Sequence, residues 1–215
     1  MTTIIVKPML RGWLHAGALP VTLIAGFTLV ALGPTLQARI ACAIYAITSA
    51  LLFGISATYH RGTLGPRLAE VLRRLDHANI YLIIAGTYTP FALLALEGTA
   101  RVVVLAVTWG GALAGVLFRV LWMGAPRWLY TVLYLALGWT AIFVLPQLLQ
   151  GAGVAAVVLI AVGGVLYSAG AVVYGLRRPD PSPRWFGYHE VFHACTLAAY
   201  LVQYIAVSIV VYSQA

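Results

Sequence analysis

Four of the five histidines of this chain, together with Asp76 and Glu190, fall in two segments. One is "SATYH", Ser56 to His60, followed by the "LDH" of Leu75, Asp76 and His77; the other is "YHEVFH", Tyr188 to His193. His189 and His193 are four residues apart, so on a helix they share a face with Cβ atoms roughly 6 Å apart, which lets two imidazoles hold one metal ion. Ser56 and His60 repeat that spacing and align a hydroxyl with a third imidazole. Three neutral histidines with an open fourth position suit a catalytic or Lewis-acid zinc.

"HEVFH" also fits the H-E-x-x-H pattern of zinc metalloproteases, in which the glutamate is the general base. A further ligand normally follows that motif, yet Glu190 is the last acidic residue and no histidine follows His193. Each residue also has a plainer reading. His15 at a membrane boundary is ordinarily an interfacial side chain with a hydrogen bond. His77 can be the same, or a partner to Asp76. Ser56 can bond back to its own helix backbone, and Asp76 can cap a helix whose N-terminal dipole suits its charge.

The elements that must position these residues are apolar. The chain has 215 residues, 62% hydrophobic and 8% charged, against about 25% charged in an ordinary soluble domain. Its mean hydropathy is +0.96. Apolar stretches of the ~20 residues needed to cross ~30 Å of hydrocarbon lie at 13–32, 38–59, 77–96, 102–122, 129–149, 154–176 and 188–212. The expected architecture is an all-α integral membrane protein, a bundle of seven transmembrane helices forming one domain over 1–215. Loops are short, leaving no room for an additional soluble domain. The first stretch is too long for a signal-peptide core and is read as a span. Pro90, in "GTYTPF", is expected to bend the third span and pack Gly86 on a neighbour, while Gly110, Gly111 and Gly115 offer a small-residue face for helix contact.

The net charge of +8 comes without a basic stripe interleaved with aromatics, which argues against nucleic acid. Of the 13 basic residues, running from Lys7 to Arg184, all but Arg39 and Arg101 fall on one side of that map. Positive residues are retained in the cytoplasm, so the N-terminus is expected inside the cell and the C-terminus outside. His60, Asp76, His77, His189, Glu190 and His193 then share one depth at the cytoplasmic end, where ionisable residues ordinarily mark function. Cys42 and Cys195 lie within apolar runs and form no disulfide or zinc pattern.

"SATYH", "LDHANIYLIIAGTYTPF" and "FGYHEVFHACTLAAY" resemble the three signature blocks of the hemolysin III family, the bacterial branch of the progestin and adipoQ receptors. The resemblance implies a seven-helix bundle of the inner (plasma) membrane with zinc near the cytoplasmic side. By that resemblance His60, His189 and His193 are the zinc ligands, while Asp76 and Ser56 position or polarise a water. It also implies a link to membrane lipid composition and fluidity, and the wider superfamily includes alkaline ceramidases. Only about a dozen residues precede the first span, so the hormone binding of the eukaryotic receptors is not carried over. The family name implies red-cell lysis, but no pore-lining polar face is evident.

Three functions follow as expectations. A zinc-dependent hydrolase would cleave an amide or ester of a membrane lipid, with Asp76 as base and Ser56 as hydrogen-bond donor. A membrane-fluidity sensor would use the same zinc as a structural clasp. A channel or transporter would use Asp76, His60 and His189 as a proton relay.

Overall fold

A chain in lipid must satisfy its backbone polar groups within itself, and the long apolar runs accordingly form helices. The computed structural model describes residues 8–214; Lys7 lies outside the described residues. The helices are α1 (Trp13–Leu32), α2 (Leu36–Arg61), α3 (Pro66–Ala95), α4 (Gly98–Leu121), α5 (Arg127–Gly138), α6 (Leu145–Leu176) and α7 (Tyr188–Tyr212), with a 3₁₀ turn at Trp139–Val144 between α5 and α6. α1 and α7 coincide with the first and last expected spans. The Thr35 hydroxyl starts α2 by accepting the Ala38 N–H at 3.1 Å, the usual device for an orphan amide in a first turn.

α3 departs from expectation at its start. It begins at Pro66, about three turns before His77, so Asp76 lies well inside the helix and does not cap it. Arg67, Glu70, Arg73 and Arg74 make this opening too polar to read as a span, yet Leu68, Val71, Leu72 and Leu75 keep helical spacing. Proline suits a first turn because its missing N–H would have no helical partner there. Further along, α3 continues through Pro90 to Ala95.

Among the described residues, six helical stretches are long and apolar enough to cross a membrane, against the seven spans of the sequence reading. The difference lies in Arg127–Leu176, a helical stretch of 50 residues that takes in α5, the 3₁₀ turn and α6. Were it straight it would measure ~75 Å, more than twice the hydrocarbon thickness. It is not straight: Gly153 within α6 has φ 78° and ψ 165°, a conformation open to glycine and strained for other residues. The expected boundary between 149 and 154 brackets this residue.

The bundle is apolar outside and partly polar inside. Phe27 and Phe143 are 74% and 84% exposed, whereas Thr22, Thr48, Ser49, Thr108 and Gln203 are buried. This is the distribution that lipid solvation favours, since a lone hydroxyl or amide is satisfied only among other helices. Tyr45, Phe53 and Tyr200 form an aromatic core, with Tyr200 5.7 Å from Tyr45 and 5.1 Å from Phe53 between ring centroids. Cys42 is buried, Cys195 is half-buried, and both are free thiols.

Close helix approach holds α3 in place. A Cβ at Gly86 would lie 2.0 Å from Thr48 Oγ1 on α2, and one at Gly115 of α4 would lie 2.4 Å from the Tyr81 ring on α3. Gly110 faces open space. Gly115→Ala is therefore expected to lower stability by about 1–3 kcal/mol through overpacking, while Gly110→Ala stays within about 0.5 kcal/mol of wild type. Thermal unfolding in detergent checks the pair; equal melting temperatures would contradict the close-packed α3/α4 contact.

Candidate metal centre

The last turn of α2 and the first turns of α7 meet at one end of the bundle, and with them His60, His189 and His193. One ligand atom from each of these residues lies within 4.8 Å of the others, and all three side chains are buried. His60 Nε2 and His189 Nε2 are 3.2 Å apart. A tetrahedral metal with ~2.0–2.1 Å bonds to nitrogen separates its ligand atoms by about 3.3 Å, so the pair is spaced as two ligands of one ion. Three imidazoles with no thiolate or carboxylate among them form a donor set that suits zinc and leaves a fourth position open. The residues present thus fit the expected ion.

α3 brings Asp76 beside the cluster. Its Oδ2 lies 3.7 Å from His60 Nε2 and 3.9 Å from His77 Nδ1. Ser56, one turn before His60 on α2, is buried with its hydroxyl directed at the Asp76 carboxylate. Its plainer reading, a bond back to its own helix backbone, is not met.

His77 stands outside the three-histidine group. Its Nδ1 is 2.7 Å from the Arg73 carbonyl and its Nε2 is 3.2 Å from the Tyr174 hydroxyl. A carbonyl only accepts, so Nδ1 carries the proton and Nε2 accepts from Tyr174. The Tyr134 hydroxyl also donates to the His77 carbonyl at 3.2 Å. These bonds anchor α3 against α5 and α6 next to Asp76.

Glu190 has a different task from the protease base that its motif suggests. Its side chain is 1% exposed, pairs with Arg11 and accepts the Gly187 N–H at 2.9 Å. The second contact caps α7 and the first ties that cap to the segment before α1. Met9 and Leu10 N–H groups reinforce the tie by donating to the carbonyls of Arg184 and Trp185 at 2.9 and 3.1 Å. The ~100° between Glu190 and His189 around the helix is that of any adjacent pair; the Arg11 pair and the Gly187 cap are what engage the carboxylate.

His15 was expected at the interface with a hydrogen bond. Instead it is 2% exposed, neither ring nitrogen is hydrogen-bonded, and its ring stacks on His193 with centroids 3.8 Å apart. Phe53 meets its edge at 5.1 Å. The helix map held a signal for this placement: His15 is in the first turn of α1, at the end where the other histidines gather.

An apolar cavity of about 170 Å³ runs among α3, α5, α6 and α7, lined by residues including Ile84, Tyr88, Trp139, Tyr174 and Phe192. Tyr174 and Phe192 also flank the His189 ring, at 5.7 and 6.0 Å. Two of the rings that line the cavity thus stand beside one histidine of the cluster.

Residues 3–204 match the family described as Haemolysin-III related. The chain is 34% identical over 152 residues to the Hemolysin-3 homolog of Bacillus subtilis (strain 168), covering 69% of this chain and 67% of that protein. It is 33% identical over 140 residues to the Hemolysin-3 of Bacillus cereus, covering 65% of this chain and 64% of that one. The match thus spans about two thirds of the length of these curated relatives. With a family match over most of its length and relatives at this identity, the multi-pass helical chain that carries the three buried histidines belongs to the haemolysin-III related family.

Proposed function

We propose that this protein binds zinc through His60, His189 and His193 and hydrolyses an amide or ester bond of a membrane lipid at that centre. The single observation that carries this reading is the convergence of three buried imidazoles with the Asp76 carboxylate 3.7 Å from one of them. Zinc bound there supplies Lewis-acid chemistry, polarising a carbonyl and acidifying water. Asp76 accepts the proton of the attacking water and returns it to the departing nitrogen or oxygen as the carbon–heteroatom bond breaks. Ser56 donates a hydrogen bond to the oxygen that gains charge. The apolar cavity that Tyr174 and Phe192 help to line takes the acyl chain.

In this proposal the chain crosses the inner membrane seven times, with Arg127–Leu176 making two passes around the break at Gly153. The N-terminus and the metal centre lie on the cytoplasmic side, because basic residues gather at that end. Such a protein acts in membrane lipid homeostasis.

The test is release of fatty acid from labelled ceramide-like amides and glycerolipid esters by metal-loaded protein in lipid vesicles. Wild type is expected to release it, and Asp76→Asn to lower the rate about 10²–10⁴-fold with metal content unchanged. Unchanged turnover in Asp76→Asn would remove that residue from the chemistry. Retained metal with no product from wild type would favour a zinc clasp between α2 and α7, the helices that supply the three histidines.

A further inference from the structure

Beside the histidines lies a second cavity, of about 350 Å³, with a different chemistry. Arg11, Arg73, Arg119 and Arg127 line it together with tyrosines and the rings of His60, His77 and His189, and among the described residues none of its lining side chains is acidic. Arg11 is paired with Glu190. Asp76 lies against His60 and His77, and among the described residues Arg73, Arg119 and Arg127 form no ion pair with it. The remaining guanidinium groups therefore bring positive charge into the cavity without a matching carboxylate.

Arg119 is the decisive residue. It is 2% exposed, and its Nε and Nη1 are buried without a hydrogen-bond partner. Its remaining contacts are weak: Nη2 is 4.0 Å from Met123 Sδ, and the guanidinium carbon is 4.3 Å from the Tyr130 ring centroid. Arg127 is half-buried beside Tyr188, with its Nη1 buried and without a hydrogen-bond partner and its guanidinium 5.3 Å from the Tyr174 ring. A topology signal needs only exposed basic residues. Arg61 over Trp13, and Arg74 bonded to Glu70 and the Val120 carbonyl, meet that need with their groups engaged. A buried cation with free N–H donors is costly unless an anion completes it.

We propose that this cavity is an anion site that binds a phosphate group through Arg119 and Arg127. Two adjacent guanidinium N–H donors match two phosphate oxygens in a planar fork, a geometry that lysine does not offer. A basic pocket between helices at the end of a membrane bundle is placed to hold the head group of an anionic lipid, and free phosphate offers the same oxygens. The site stands on the arginines and does not depend on lipid cleavage at the histidines.

The test is the thermal shift of detergent-purified protein with phosphatidic acid, neutral diacylglycerol or inorganic phosphate, repeated after the metal is stripped by chelator. Phosphatidic acid is expected to raise the melting temperature with an affinity at least tenfold better than diacylglycerol. Arg119→Gln and Arg127→Gln, each made separately, are expected to weaken that affinity at least tenfold while keeping wild-type metal content. An equal response to inorganic phosphate supports the site with a soluble ligand, and a response surviving metal removal supports its independence from the histidines. Equal binding of diacylglycerol, an undiminished response in both variants, or a response that vanishes with the metal would overturn the assignment.

Discussion

His189→Ala and His193→Ala are each expected to abolish stoichiometric metal binding. The two residues hang from adjacent turns of one helix face, and His60 reaches them from the other end of the sequence with its Nε2 3.2 Å from that of His189. Two imidazoles cannot reproduce a three-point site, and alanine supplies no donor. A ligand held at about 1,000 times its dissociation constant contributes ~4 kcal/mol to the folded state, so the variants should also lose the melting-temperature increase that zinc gives wild type. Elemental analysis of purified protein, with melts before and after chelation, reads both effects. Folded wild-type protein without metal after metal-supplemented expression would sink the zinc centre and the hydrolysis built on it.

Glu190→Ala is expected to cost about 3–5 kcal/mol, the range for removing one partner of a buried ion pair. It leaves Arg11 without its carboxylate and the Gly187 N–H without its acceptor, and it loosens the first turn of α7, from which His189 projects. Weaker metal binding should accompany the lower melting temperature. Glu190→Gln keeps an acceptor for the Gly187 N–H and loses the charge, so its cost should be smaller and its metal content should stay near wild type. A catalytic base would behave differently: glutamine would abolish turnover with stability and metal unchanged. That outcome would restore the protease-like role and contradict the structural one.

These expectations differ in how far the chain itself announces them. The i, i+4 pair on α7 is a local pattern, legible because helical spacing alone aligns His189 with His193. The depth shared by His60 followed from the lengths of apolar runs. Arg119 was visible only as one of many arginines, because nothing local distinguishes an exposed cation from a buried one. Glu190 was misleading for a related reason: its motif defines a helix face, but Arg11 lies 179 positions away in sequence.

The amino-acid sequence by itself determined the helical class, the limits of α1 and α7 and the end of the bundle at which the ionisable residues gather. Lipid forces each apolar run to close its own backbone hydrogen bonds, so run length and helical period suffice for those features. Only the structure decided that α3 begins at Pro66 and that His15 stacks on His193. It also decided that Asp76 faces His60 and that Glu190 faces Arg11. The placements of His15, Asp76 and Glu190 depend on contacts between separate helices and segments, where close packing selects one neighbour among several that the same local pattern allows.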